Sequence, residues 1–259
     1  MSSDRMPPED FTDDAVLGGR LVLRQPRKGH RIGHDAILLA AATQASRGGH
    51  AIELGAGVGA AGLALAQRVA SLRVTLVELD PSLAALAEHN AAQNGFADRV
   101  RVAVLDVAAR DREFADQGVR AGSAACVLMN PPFNDASRQN APVDAQRRLA
   151  HTALPDTLQQ WIGRAAWSLA PAGELTLIWR ADGIASVLDA LGQGFGAVAV
   201  RPIYPRPDAA AIRILLRAVK GSRAPLSIAP GLTLNDANAR PAAEAEAILR
   251  RGEILRWPA

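Results

Sequence analysis

The run Asn130-Pro131-Pro132-Phe133 contains the residue types that most directly indicate chemistry. A planar amino nitrogen is a poor nucleophile because its lone pair is delocalised, and acceptors that hold its N–H groups can favour a reactive geometry. The Asn130 side-chain oxygen and the Pro131 carbonyl are two such acceptors. The prolines have a fixed φ and no N–H, so they hold these carbonyls outward. Phe133 can stack on a planar substrate, which is worth about 1–3 kcal/mol for a base.

A glycine-rich segment, Glu53-Leu54-Gly55-Ala56-Gly57-Val58-Gly59, lies where a predicted strand turns into a helix. Glycines at such a turn allow positive φ and let the backbone approach a ligand closely. Glu53 precedes the first glycine by two positions, where a carboxylate could reach the amino end of an amino-acid-bearing ligand. Dinucleotide-binding proteins have similar loops, so the glycines alone do not identify the ligand.

Two further acids end the next two predicted strands. Glu78 is placed to accept hydrogen bonds from both hydroxyls of a ribose, and Asp106, followed by Val107, is suited to an adenine amino group. Ligands of open α/β sheets bind outside the carboxyl ends of the strands, where all three acids are expected. Helix capping explains any one of these acids, but it explains poorly all three together with the glycine loop.

Short apolar runs alternate with helical segments from residue 50 onward, which predicts a parallel sheet covered on both faces. Asp80 is a candidate helix N-cap before Pro81, and Gly95 is the expected stop of that helix. Strands are predicted at 51–55, 73–79, 99–105, 125–130 and 174–179, and helices at 59–70, 81–95 and 157–170.

Two later strand-like runs, AVAVRPIYP and AIRILLRAVK, are joined by RPDAA, which is too short for a crossover helix. They should therefore pair antiparallel. A last helix is expected in AAEAEAILRRGEIL. We predict an α/β fold with a seven-stranded, Rossmann-like, mostly parallel sheet whose last strand is antiparallel, the architecture of class I methyltransferases.

Composition excludes several classes of protein. Hydrophobic residues make up 49% and charged residues 21% of the 259 residues, which is typical of a globular domain rather than a disordered chain. No apolar run approaches the roughly 20 residues of a membrane span, and the polar start does not resemble a secretory signal. The single cysteine, Cys126, favours a reducing cytoplasm. The net charge of +3, carried almost entirely by arginine, permits a nucleic-acid partner.

With these motifs in place, the chain resembles the amino-methyltransferases that carry an N-P-P-[FY] motif. Within them it is most similar to the bacterial tRNA adenine-N6 methyltransferases that modify the adenine beside the anticodon of a valine tRNA. The likeness begins near residue 20 and includes RQPRKGHRIGHDAILLAAA, ELGAGVGAAGLALA, LVELDPSLAALAEHNAAQNG and EAEAILRRGE. It implies S-adenosylmethionine as cofactor, held by residues that include Asn130, and it places Asp35 near the cofactor pocket.

We therefore expect a single methyltransferase domain over residues 1–259. Its parts are a flexible segment at 1–19, an extension at 20–49 that closes the cofactor pocket, the core sheet at 50–220 and a C-terminal extension at 221–259. The RNA-contacting residues that we expect are arginines and one lysine, in a basic loop and in the segment after the NPPF run: Arg27, Lys28, Arg31, Arg138, Arg147 and Arg148.

Other functions stay open at this point. Guanine N2 of ribosomal RNA and a protein glutamine amide are alternative methyl acceptors with the same chemistry. A nicotinamide-dependent oxidoreductase would use the same type of sheet but would have no role for Asn130, and a binding module would retain the fold without catalysis. No metal is expected, because the five histidines have no metal-binding spacing.

Overall fold

The computed structural model describes residues 11–28, 31–132 and 157–258. The strands are β1 (Phe11–Val16), β2 (Leu21–Pro26), β3 (His50–Leu54), β4 (Arg73–Glu78), β5 (Val100–Val104), β6 (Ala124–Met129), β7 (Leu169–Arg180), β8 (Phe195–Tyr204), β9 (Arg213–Lys220), β10 (Ser227–Ile228) and β11 (Leu232–Thr233). The helices are α1 (His34–Ala42), α2 (Ala60–Arg68), α3 (Pro81–Gln93), α4 (Asp111–Asp116), α5 (described over 157–168), α6 (Ile184–Leu191) and α7 (Ala243–Arg251).

The main sheet has the strand order β10-β8-β9-β7-β6-β3-β4-β5, and β11 also pairs with β8. Strands β3 to β7 pair in parallel, whereas β9 is antiparallel to both of its neighbours, β7 and β8. The predicted mostly parallel sheet with an antiparallel last core strand is confirmed. The sheet also contains β10 and β11, two strands of two residues each that the sequence pattern did not predict.

Helices cover both faces of this sheet because its strands are apolar on both sides. Buried residues of α1, α2, α3 and α7 form one hydrophobic cluster against one face, and those of α4, α5 and α6 form a second cluster against the other. The final helix that the sequence predicted is α7. Among the described residues, no helix combines the length and apolarity that a membrane crossing requires.

The expectation that residues 1–19 are flexible is wrong for the part that the structure describes. Strand β1 pairs with β2 along all six residues. Its acids have partners in or just after β2: Arg24 donates to the Asp13 carboxylate at 2.9 and 2.8 Å, and Arg31 donates to Asp14 at 2.7 Å. Leu17, in the turn between the two strands, is buried. Residues 11–16 of the segment that was expected to be flexible thus form one strand of a paired hairpin.

Helix α3 holds this hairpin against the core, and its ends are as predicted. Asp80 accepts from the Ser82 amide at 2.7 Å as N-cap, and Gly95 follows the helix with φ +75°. Asn90, fully buried, donates from Nδ2 to the carbonyls of Arg24 in β2 and Val58 in the glycine loop, both at 3.0 Å. One amide group therefore links the N-terminal hairpin to that loop.

Candidate active site

Strands β3, β4, β5 and β6 end at one edge of the sheet because they are parallel and in register. Leu54 pairs with both Val77 and Met129, and Glu78 pairs with Val104. The predicted site residues at this edge lie at the strand ends or just after them. The sequence predicts that Gly57, Glu78, Asp106, Val107 and Asn130 hold the cofactor, and we call this group the cofactor cradle.

The three loop glycines all have positive φ, but for different reasons. The values are +66° at Gly55, +56° at Gly57 and +86° at Gly59. A Cβ at Gly55 would overlap the Trp161 ring, and one at Gly59 would contact Leu76. No described atom lies within 4 Å of a Cβ built at Gly57. Gly57 is therefore the glycine that leaves open space beside the loop, as a ligand-binding backbone requires.

Glu78 is buried and connects the loop to the end of β4. Its Oε2 accepts from the Gly57 amide at 2.6 Å, and its Oε1 accepts from the Asp80 amide at 2.9 Å. Each carboxylate oxygen has a second lone pair, so Glu78 can still accept from two hydroxyl groups. A contact of Glu78 with a ribose stays a prediction.

Glu53 lies beneath the loop and is turned toward α2. It is only 5% exposed, and its Oε2 accepts from the Gly62 amide at 2.6 Å. Burial raises the pKa of this carboxyl to about 8, and the nearby Glu78 contributes to the rise. The group is consequently protonated near neutral pH. A direct contact with the amino end of a ligand stays a prediction.

Asp106 is exposed at the end of β5, where its Oδ1 accepts from the Ala108 amide at 2.8 Å. Val107 is buried beside it. A cavity of about 350 Å³ opens next to this loop, lined by Val107, Ala108, Asp111, Gln160, Gly163, Arg164 and Trp167. Val107 belongs to both the cradle and the cavity lining, whereas the cavity itself lies on the α5 side of the loop.

Asn130 follows the last residue of β6 and lies beside Gly55, since Met129 pairs with Leu54. Its Oδ1 is inaccessible to solvent and has no hydrogen-bond partner among the described residues. A buried acceptor without a donor costs free energy, so it marks a position where a donor is expected to bind. Pro131 is buried and Pro132 exposed, whereas Phe133 lies outside the described residues.

Asp35 lies in the first turn of α1 and is bound to β9, beyond β6 and β7 in the sheet. Its Oδ2 accepts from Arg213 Nε at 2.8 Å, and Arg213 is the first residue of β9. Arg180, directly opposite Arg213 on β7, pairs with Asp182. The pKa of Asp182 is lowered mainly by Arg180, with a smaller contribution from Arg213. The ion pair of Asp35 with Arg213 therefore joins α1 to the start of β9.

The predicted RNA-contacting residues have different surroundings. Arg27 and Lys28 are exposed after β2. Arg31 donates to Asp14 and Thr12, so its charge is partly neutralised within the chain. Three more of the predicted contacts lie outside the described residues: Arg138, Arg147 and Arg148.

Two residues of α5 border the cradle and were not singled out from the sequence. Trp161 packs on Gly55, and Arg164 donates to the carbonyls of Val107 and Ala109. The segment that contains them was recognised as a helix. Their spacing of three residues, which places both on one helix face, was the available signal.

The topology is that of class I S-adenosylmethionine-dependent methyltransferases. The chain belongs to the methyltransferase small domain family, whose model matches residues 30–202.

The individual proteins to which the chain is similar also have methyltransferase names. The tRNA1(Val) (adenine(37)-N6)-methyltransferase of Porphyromonas gingivalis is 35% identical over 156 residues, which are 59% of each chain. The protein of the same name from Aeromonas hydrophila is 31% identical over 196 residues, covering 74% of this chain and 77% of the relative. The chain spans about three fifths of the length of the first of these relatives. A crystal structure of a predicted O-methyltransferase from Agrobacterium tumefaciens has a TM-score of 0.72 and 28% identity, covering 85% of this chain and 98% of that one.

Proposed function

We propose that this chain transfers a methyl group from S-adenosylmethionine to the exocyclic 6-amino group of an adenine in tRNA. The buried, unpartnered Oδ1 of Asn130 carries this proposal. An amide oxygen in that position can accept from an amino N–H, whereas a hydroxyl substrate would need a base to remove its proton. The relatives named as tRNA adenine-N6 methyltransferases support the same acceptor.

The residues of the cradle fit the cofactor. Glu78 retains lone pairs for the ribose hydroxyls, and Asp106 and Val107, which follow β5, are our candidates for the adenine end. Gly57 leaves room for a ligand along the loop. When bound, the cofactor supplies an electrophilic methyl group on a sulfonium.

The contribution of Asn130 and Pro131 is to hold the acceptor nitrogen. With both N–H groups engaged, the nitrogen lone pair is directed away from these oxygens and toward the methyl group, and orientation supplies much of the rate enhancement. Phe133 remains our candidate for stacking on the base. Transfer needs no covalent enzyme intermediate in this scheme.

A tRNA substrate requires that the target base be accessible. In an anticodon loop a base is unpaired and can be turned out of the stack at a cost of about a few kcal/mol. Arg27 and Lys28, exposed after β2, are candidates for phosphate contacts. A tRNA substrate also agrees with the cytoplasmic location expected from the single cysteine.

The test is to incubate the protein with labelled S-adenosylmethionine and total small RNA and to identify the methylated nucleosides by mass spectrometry. We expect N6-methyladenosine in tRNA, and at least about 10²-fold less of it with the Asn130→Ala variant. If N2-methylguanosine or a labelled protein glutamine is found instead, the methyl acceptor is one of the alternatives and not adenine. Binding of a nicotinamide dinucleotide without any methyl transfer would overturn the proposal.

A further inference from the structure

Helix α5 makes two separate contacts at the edge of the sheet where the cofactor cradle lies. Trp161 lies so close to Gly55, at the end of β3, that a Cβ on that glycine would overlap the ring. Arg164, one turn further along the helix, reaches the loop that follows Asp106 at the end of β5. A single helix face thus touches both the glycine loop and the loop at the expected adenine end.

The contacts of Arg164 form a rigid clamp on the second loop. Its Nε donates to the Val107 carbonyl at 3.2 Å, its Nη2 to the Ala109 carbonyl, and its Nη1 to Asp111 at 2.9 Å. The side chain is only 10% exposed. A planar guanidinium with several engaged donors fixes the geometry of its acceptors better than a single point charge can.

Two aromatic rings hold the guanidinium itself in place. Its Cζ lies 4.0 Å from the Phe114 ring centroid and 4.8 Å from that of Trp167. Phe114 belongs to α4 and Trp167 to α5, so the cation joins both helices behind the 107–109 loop. Stacking of this kind limits rotation of the side chain and so keeps its donors aimed at the loop.

We propose that α5 forms a second wall of the cofactor site, in which Arg164 is a positioning residue for the adenine end and Trp161 borders the bound cofactor at the glycine loop. This inference rests on the proposed function. Arg164 acts through the loop: it binds the Val107 and Ala109 carbonyls on the side of the loop that faces α5. The opposite side of the loop is then free for the ligand. A residue with this role supports the binding geometry without touching the reacting atoms.

Arg101 offers a matched control. It donates to two consecutive carbonyls, those of Gln117 and Gly118, and to Thr75 Oγ1. Its set of acceptors, two carbonyls and one side-chain oxygen, parallels that of Arg164. Arg101 lies near the start of β5, at the opposite end of the strand from Asp106. Removing the Arg101 side chain tests whether the loss of any arginine with such contacts weakens cofactor binding.

The experiment compares binding of S-adenosylhomocysteine by calorimetry in the wild type, Arg164→Met, Arg164→Lys and Arg101→Met. We expect affinity to fall about tenfold or more in Arg164→Met, as the loss of hydrogen bonds to a charged group predicts. Arg164→Lys should fall in between, and Arg101→Met should bind like the wild type. Thermal unfolding of each variant establishes that it is folded at the temperature of the measurement. Wild-type affinity in Arg164→Met, or an equal loss in Arg101→Met, would refute the positioning role.

Tryptophan fluorescence tests the Trp161 contact independently of turnover. The chain has four tryptophans, and Trp257, whose Nε1 donates to the Ala42 carbonyl at the end of α1, is the control. S-adenosylhomocysteine should change the emission of the wild type and of Trp257→Phe, and this change should be largely lost in Trp161→Phe. A full response in Trp161→Phe, or none in a wild type that binds the ligand, would remove Trp161 from the wall. If the wild type does not bind the ligand at all, it is the proposed cofactor that fails.

Discussion

The backbone amide of Gly57 donates to Oε2 of Glu78 across 2.6 Å. This bond joins the loop after β3 to the end of β4, so the open glycine and the buried acid of the cradle are held in a fixed relation. The second Glu78 oxygen accepts from the Asp80 amide, at the N-cap of α3. The Glu78 carboxylate therefore connects the loop after β3, the end of β4 and the start of α3.

We expect Glu78→Gln to weaken binding of S-adenosylhomocysteine by at least about tenfold, since one of the two backbone amides then faces an NH₂ group instead of an acceptor. Calorimetry measures the dissociation constant. Glu88→Gln, an exposed exchange of the same type on α3, should leave it unchanged. Equal affinity in Glu78→Gln and the wild type would remove Glu78 from the cofactor site.

Gly57 and Gly95 make a matched pair of substitutions. Both have positive φ, +56° and +75°, and neither has a described atom within 4 Å of a built Cβ. Alanine should therefore cost about 1–2 kcal/mol of stability at either position, from backbone strain alone. Only Gly57→Ala should also lose cofactor affinity, because its Cβ would enter the space beside the loop. Denaturant unfolding and calorimetry separate the two effects, and equal affinities in both variants would argue against a ligand at Gly57.

For a substitution of Asn130 we expect a large loss of activity with little loss of stability. Removing its side chain in Asn130→Ala should lower turnover by about 10²–10³-fold, the usual cost of losing one oriented polar contact to the transition state. The same change removes a buried acceptor without a partner, so we expect little loss of stability. Single-turnover methylation and thermal unfolding measure the two quantities. Wild-type turnover, or unfolding of the variant at ambient temperature, would contradict this assignment.

The parts of the fold that sequence predicted are those determined by local pattern. Buried apolar runs gave β3 to β9, and the acids at the strand ends were found because parallel strands bring their carboxyl ends to one edge. Asp80 was recognisable because an N-cap depends on its immediate neighbours. Two-residue strands such as β10 have no such pattern, since they are too short to show alternation.

The parts that sequence did not predict depend on distant partners. Asp13 and Asp14 lie in the segment that was expected to be flexible, and the arginines that pair with them, Arg24 and Arg31, are 11 and 17 positions further along the chain. The contact of Arg164 with Val107 spans 57 positions, and nothing in the local sequence of either residue indicates the other. Arg31 was expected to contact RNA because its acidic partner, Asp14, is distant in sequence and lies on β1.

Glu53 predicts how stability depends on pH. Its carboxyl has a pKa of about 8 in the folded chain, against 4.5 for an ordinary glutamate, because burial disfavours the charged form. Between these values the folded state binds a proton that the unfolded state has released. Stability from this group is therefore complete below about pH 4.5 and is lost as pH rises through 8, at up to about 1.4 kcal/mol per pH unit.

The Glu53→Gln variant should remove this slope, because glutamine retains an acceptor for the Gly62 amide and does not titrate. Denaturant unfolding between pH 5 and pH 9 gives the free energy of unfolding of both proteins. Glu113→Gln, an exposed exchange in α4, is the control and should keep the wild-type slope. If Glu53→Gln and the wild type lose stability in parallel over this range, Glu53 is ionised in the folded chain, and its carboxylate then becomes available to the amino end of the cofactor.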